Sequence, residues 1–314
     1  MKDWYGPPIP LVGCPGELWV HKGGDITGVI AGGGFASFDD MVAEATAGKL
    51  RRFNFQKAGA TGVIGVTNSL WGLGNQPAAG ANASNAPGGD APTDATTGAF
   101  LLDNVSPDTR HITAASVSCE DAGNTLLLYD RLFQVNKTMN STATEAVTGV
   151  PTRYQSTTPS AAGYAGGNFL FVEVGGTALA ATAHNWTVCT YTDQGGAAST
   201  LPSLTGNASA IVRRLDHPAQ QWFAPLESGD IGIQTLTQMQ CSALVATGVI
   251  NFVIGHPIAW MPIPIANLNI LQDYVRVTFA LDRIFDDAAL AFLEAMKPST
   301  SSTTYTGTFE AVHG

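Results

Sequence analysis

From Ile231 to Gln272 the chain carries no Asp, Glu, Lys or Arg. A run of this length without charge belongs either in a lipid bilayer or in a protein interior. Three prolines decide between them. Pro257, Pro262 and Pro264 cannot share a spanning helix, and Asn251 and His256 would be stranded in hydrocarbon. The run therefore reads as buried strand followed by an extended, proline-rich segment.

The same poverty of charge holds throughout. Charged residues make up 13% of the sequence, where an ordinary soluble domain has about 25%. Apolar residues are 45%, enough for a sizeable core. With a net charge of -10 and basic pairs only at Arg51-Arg52 and Arg213-Arg214, the chain has no clustered cations for phosphate neutralisation, so nucleic acid is not an expected partner. An anionic membrane surface is excluded on the same ground. Met1 to Pro8 has no apolar run behind Lys2, so no secretory leader is expected. Cys14, Cys119, Cys189 and Cys241 are too far apart for a zinc knuckle or a redox dithiol; they are expected as free thiols, the last three in the core.

Residues 1–34, rich in Gly and Pro, form no core of their own and read as an extended N-terminal arm, with Trp4, Tyr5, Leu11 and Trp19 as its contact residues for another subunit's surface. Residues 35–297 read as a β-rich body. It opens with a helix from Ser37 to Leu50, capped by Ser37, facing inward through Phe38, Met41, Val42 and Ala45, and closed by Lys49, Arg51 and Arg52. Short β runs follow at 61–67, 100–105, 111–119, 125–135, 168–174, 186–192, 208–215, 231–244, 248–254 and 274–282. Between them, 72–98 holds almost only Gly, Ala, Asn, Pro, Thr and Asp and reads as a long surface loop. A second helix is expected where Asp286 or Asp287 caps a face of Ala289, Leu293 and Met296 and Pro298 stops it. Residues 298–314 are a linker and a C-terminal strand, in this chain's sheet or a neighbour's. The fold class is mainly β, a sandwich or jelly-roll-like body with one helix near each end.

Catalytic chemistry finds little support. The glycines of 28–34 precede a helix but lack a following Lys, and Asp39 and Asp40 would repel a phosphate there. Asp39-Asp40 and Asp286-Asp287 are better read as helix caps than as catalytic dyads. The histidines are scattered, with none paired at i, i+4. No catalytic, cofactor-binding or metal residue is assigned, and the expectation is a protein that is not an enzyme.

Several stretches resemble segments of tailed-bacteriophage virion structural proteins: LLLYDRLF (Leu126–Phe133), NKTMNST (Asn136–Thr142), VTGVPTRY (Val147–Tyr154), VCTYTDQG (Val188–Gly195) and FAPLESGDIGI (Phe223–Ile233). Together they fall within roughly residues 100–260, most of the β body, and none is a catalytic signature. The resemblance implies an auxiliary component of the phage particle, a decoration or cement protein bridging neighbouring capsomers. Its expected partners are the major capsid protein and copies of itself, as a homo-oligomer with three the expected number. Its expected location is the capsid surface of the virion, after assembly in the host cytoplasm. The competing expectation is a carbohydrate- or receptor-binding virion module, in a fibre or tail, with Trp71, Trp186 or Trp222 as sugar platforms.

Overall fold

The computed structural model describes residues 35–61, 63–159, 161, 163–218, 221–275, 282–295 and 299–314. The arm over 1–34, with Trp4, Tyr5, Leu11, Trp19 and Cys14, lies outside the described residues. A short helix, α1 (Phe38–Glu44), runs through a π turn (Ala45–Lys49) into a succession of strands: β1 (Leu50–Ala58), β2 (Asn68–Ser69), β3 (Asn75–Gln76), β4 (Arg110–Cys119), β5 (Asn124–Thr138), β6 (Glu145–Ala146), β7 (Phe169–Val174) and β8 (Asn185–Asp193). They continue as β9 (Ala198–Thr200), β10 (Leu204–Thr205), β11 (Ile233–Cys241), β12 (Val249–Ile263), β13 (Ile270–Asp273), β14 (Arg283–Ile284), β15 (Leu290–Ala295) and β16 (Thr304–His313).

These strands make three antiparallel sheets. The central one has the order β2-β15-β5-β12-β7. A second runs β13-β4-β16-β1-β3 with β14 also on β4, and a third runs β10-β8-β11-β6 with β9 also on β8. The spine is the β5–β12 ribbon, paired from Asn124↔Ile263 to Thr138↔Val249. Two irregularities interrupt it. Leu132 is unpaired between Arg131↔Gly255 and Phe133↔Ile254, and Ile258 is unpaired between Pro257↔Tyr129 and Ala259↔Leu128. One extra residue flips the inward set of a strand, and because each strand has one, a single face of the ribbon stays turned toward the outer sheets along its whole length, mostly apolar, with Asp130 and His256 paired at its middle. Leu126, Leu128, Met261 and Ile263 at one end pack on the six-stranded sheet, while Phe133, Val135, Phe252 and Ile254 at the other pack on the third sheet. The architecture is a sandwich with two outer sheets side by side on one face of the central sheet.

The outer sheets meet the central one through rings. Phe292 of β15 lies 4.7 Å from Phe55 of β1 and 5.7 Å from Phe100, which in turn lies 5.1 Å from Phe309 of β16. In the other half Trp186 of β8 meets Phe252 edge-on at 4.8 Å.

Several expectations need correction. The second helix is the strand β15, whose residues are all buried and paired to β5 from Ala295↔Thr125 to Leu290↔Asp130; burial on both faces erases alternation and leaves Leu, Ala and Glu looking helical. Asp286 and Asp287 therefore cap no helix. The first helix stops at Glu44, and Gly48 at φ 92° turns the chain into β1, so Arg51 and Arg52 lie in a strand. Ser37 does accept from the Asp40 N–H at 3.1 Å, but Phe38 and Val42 are exposed and of the expected face Met41 carries the burial. The runs at 61–67, 100–105 and 208–215 are irregular. Of 274–282, residues 276–281 lie outside the described residues. The proline-rich segment is the second half of β12, and because β7 pairs only with Ile250–Gly255, Pro257 and Pro262 fall on an unpaired edge, where a missing N–H is tolerated.

Loop 72–98 folds back on its own body. Asp90 and Gln134 exchange both backbone hydrogen bonds at 2.8 Å, and the Asn136 N–H donates to Ser84 O at 2.8 Å, closing the edge of β5 that β15 leaves open. Gly80 lies against the Trp71 indole so closely that a Cβ there would sit 2.2 Å from the ring. The C-terminal strand β16 belongs to this chain's own sheet, between β4 and β1. Phe292→Ala should cost about 3–5 kcal/mol, read as a lowered urea midpoint with an unchanged slope; a loss under about 1 kcal/mol would show that the sheets are not held by this ring cluster.

Candidate functional site

Positive charge goes inward. On β5 the neighbours Asp130 and Arg131 point to opposite faces, and each finds a buried partner. Arg153 donates from Nε and Nη2 to the two Asp130 oxygens, both at 2.8 Å, while the Ala289 N–H donates to Asp130 at 2.9 Å. Burial pushes the Asp130 carboxyl up, and Arg153 opposes it without cancelling it. Arg131 donates to Glu173 at 2.6 Å, to the Tyr129 hydroxyl at 3.0 Å and to Gln134 at 2.7 Å, with the Trp71 ring 4.8 Å away. Burial would raise Glu173, but Arg131 outweighs it and the carboxyl is held below its ordinary range. Lys57 of β1 donates to the carbonyls of Leu73, Pro77 and Ala78; burial, then repulsion from Arg213, pushes its pKa down to about 8. Lys137 is buried against Glu145. These groups fasten loops to sheets and offer nothing to a solvent-borne substrate.

Most of the described histidines are buried. His184 meets the Thr182 carbonyl at 3.1 Å through Nδ1 and the Asp216 carboxylate at 2.9 Å through Nε2. Only the doubly protonated ring can donate to both. Burial opposes that charge, the Asp216 carboxylate overcomes it, and the His184 pKa is raised. The same carboxylate accepts from Trp186 Nε1 at 3.0 Å and from the Asn207 N–H at 2.7 Å. His217 is buried with neither ring nitrogen partnered, and burial holds its pKa down at about 4. His256 lies flat on Tyr154 at 3.8 Å, with Asn168 at its Nδ1, and burial pushes it down to about 3. His313 is bonded to Asp108 at 2.8 Å.

Cys119, Cys189 and Cys241 are free and buried, as the sequence leads one to expect. Among the described residues no group of three His, Cys, Asp or Glu is placed to hold a metal ion, and no helix is long and apolar enough to cross a membrane. The sugar-platform expectation fails at two of its three residues: Trp71 and Trp186 are 2% and 1% exposed, so neither ring can stack on a ligand. Trp222 is half-buried, edge-on to Trp260 at 4.7 Å. Asp40 accepts from the Ala36 N–H, Asp286 from the Val105 and Ser106 N–H groups, and Asp287 meets Arg153.

Two surface features remain. One is an apolar corner where β12 turns into β13, with Trp260, Ile265, Leu268 and Leu271 all more than two-fifths exposed. The other is a cavity of about 190 Å³ bounded by Asp108–Arg110 and Arg283–Asp287. Sequence reading missed both, because each joins residues that carry no local pattern.

No family model matches this chain, and no curated protein matches it. Two solved structures were retrieved, "Structure of infectious bursal disease virus Gt strain" at 6% identity, covering 84% of this chain and 81% of that one, and "Crystal structure of infectious bursal disease virus VP2 subviral particle" at 8% identity, covering 84% and 80%. The TM-score is 0.17 for both, a likeness too slight to carry an argument about fold or function.

Replacing Glu173 by Gln should cost about 3–5 kcal/mol, because Arg131 would be left buried without its counter-charge; a loss under about 1 kcal/mol would show that water reaches the pair. Buried histidines also make the stability depend on pH. His217 and His256 stay neutral in the folded chain while the unfolded chain takes up protons from about pH 6.5 downward, so the stability they contribute is lost as pH falls toward their folded values of about 4 and 3. His184 has the opposite sign, its contribution being complete below about pH 6.5 and fading as pH rises through its raised value. The buried Asp282 carboxyl, pushed up to about 7 by burial, shares the His184 sign, so the His217 contribution is isolated by substitution: His217→Gln should raise the urea midpoint at pH 5 relative to that at pH 7, and an unchanged difference between the two would show that His217 is not held neutral by the fold.

Proposed function

We propose that this chain is a non-enzymatic structural protein of a virion, held on the capsid surface as a decoration or cement protein that bridges neighbouring capsomers of a major capsid protein. The observation that carries this reading is the apolar corner. Leu271 is 69% exposed, Ile265 54%, Leu268 47% and Trp260 43%, and the corner ends in β13, the edge strand of its sheet. Exposed apolar residues beside a strand edge that has no partner among the described residues are an aggregation hazard in a free monomer and an asset where a partner covers them. The occupant in this reading is a neighbouring subunit of the shell.

Charge supports it. Lys57, Arg110, Arg131, Lys137 and Arg153 are buried, so a chain already at net charge -10 keeps little cationic surface for nucleic acid or anionic lipid. A cement role needs area and repetition, which a sandwich with an apolar corner supplies without chemistry. The chain would associate with copies of itself, three being the expected number, and join the particle in the host cytoplasm. The arm, with Trp4, Tyr5, Leu11 and Trp19, would lie extended across a neighbour and add to the same attachment.

The stoichiometry of this chain in purified particles tests the reading: hundreds of copies place it in the shell, whereas a dozen or fewer would move it to a neck, tail or fibre and end the cement proposal. Leu271→Asp should weaken attachment at least about tenfold, the equivalent of ~1.4 kcal/mol, with little change in melting temperature. Deletion of residues 1–25 should likewise leave the body folded and reduce binding to particles stripped of the protein. Unchanged binding with lost stability would refute the docking arm.

A further inference from the structure

The six-stranded sheet ends in a strand with an open outer edge. β13 pairs with β4 from Ile270↔Val117 to Asp273↔Ala114, and among the described residues no strand pairs with its other side. Such an edge, beside Leu271 at 69% exposure, is a template for one more strand. On the inner face Ile270 lies next to Val117, which is fully buried in the core under this sheet. A strand added here would therefore extend an existing core.

The first described residue sits at the end of the same edge. Phe35 forms a small apolar cluster with Met41 and Val312, and Val275, just beyond the end of β13 at Asp273, packs against that cluster. The stretch leading into Phe35, from Ile26 to Gly34, carries no charge. Ile26, Thr27, Val29 and Ile30 are β-branched and suit a strand, and Gly32, Gly33 and Gly34 let the chain bend between that strand and Phe35. At ~3.3 Å per residue, Val275 back to Ile270 spans ~17 Å, and Phe35 back to Ile26 extends up to ~30 Å. Ile26–Ala31 can therefore reach the whole of β13.

We propose that Ile26–Ala31 of the same chain adds to the open edge of β13 as a further, parallel strand of that sheet. The pairing is parallel because both segments run toward the Phe35 cluster. Tethering decides between this segment and a free partner, since a short link holds it at the edge at an effective concentration on the order of millimolar. The added strand pairs the edge groups of β13 and sets apolar residues on both of its faces, beside Ile270 and beside Leu271. Residues 1–25 then leave the body past Leu268 and Ile265, so the arm starts from the apolar corner. The proposal goes beyond the shell reading and does not depend on it, because it concerns the free subunit and leaves Trp260, Ile265 and Leu268 open to a partner.

Hydrogen exchange on the full chain, free in solution and followed by mass spectrometry over residues 264–275, tests it. Those β13 amides that face away from β4 should exchange at least about tenfold more slowly in the full chain than in a chain lacking residues 1–31. Removal of residues 1–25 alone should leave the protection in place. In the full chain, Val29→Pro combined with Ile30→Pro should abolish it, because of two adjacent strand residues one N–H faces the partner strand. Unchanged exchange in β5 and β12 shows that each variant is folded, and the proline variant decides the matter if the truncated chain is not. Equal exchange in the full chain and the proline variant would overturn the proposal. So would protection that fades on dilution, which assigns the edge to a second copy, or protection seen only on particles, which assigns it to a shell neighbour.

Discussion

The structure rests on the pairing of β5 with β12. Each is long enough to serve two outer sheets in succession, and that service requires one face to stay turned toward them from end to end. A single bulge would have turned half of the ribbon inside out. The bulges at Leu132 and Ile258 compensate for each other, so the strands bend between the two outer sheets without exchanging faces. The other face is then free for a polar layer, in which Arg131, Glu173, Gln134 and Asn251 satisfy one another beneath the segment that follows Trp71.

That layer explains why so few charges suffice. A buried ion pair costs desolvation and is rarely a net source of stability, but it makes one arrangement far better than its neighbours. Asp130 and Arg131, adjacent in sequence and opposite in direction, tie the ribbon to the 90–92 and 153 segments on one side and to β7 on the other. A register slip would exchange their environments and strand both charges. The ribbon's alignment is thus specified by charge as well as by apolar area.

Much of the sandwich was legible in the sequence where one face of a strand meets solvent. Thr113–Cys119 and Cys189–Asp193 alternate, and their burial alternates with them. Legibility fails where both faces are covered, as in β15, or where a charge is buried. In β1, Arg51 and Arg52 read from the sequence as the end of the preceding helix, whereas both lie in the strand; Lys57 of the same strand is 1% exposed among three carbonyls, a burial that no local pattern announces. The long loop misled for a different reason. Its Gly and Ala residues permit close approach to Trp71 and to β5, and composition alone does not separate small residues that are mobile from small residues that must fit. The apolar corner and the polar cavity both depend on strand pairing between distant segments, which no local pattern reveals.

One consequence of β16 concerns the order of events during synthesis. It lies between β4 and β1, with Leu50 paired to Val312 and Cys119 to Tyr305. Those two strands leave the ribosome long before the one that joins them, and each must wait with an open edge. Contacts this distant in sequence form slowly, since loop closure precedes any gain from pairing. The six-stranded sheet is consequently the last to complete, and it also bears the apolar corner. The edge strand β13, which bears the apolar corner, therefore gains its complete sheet only after β16 has been made.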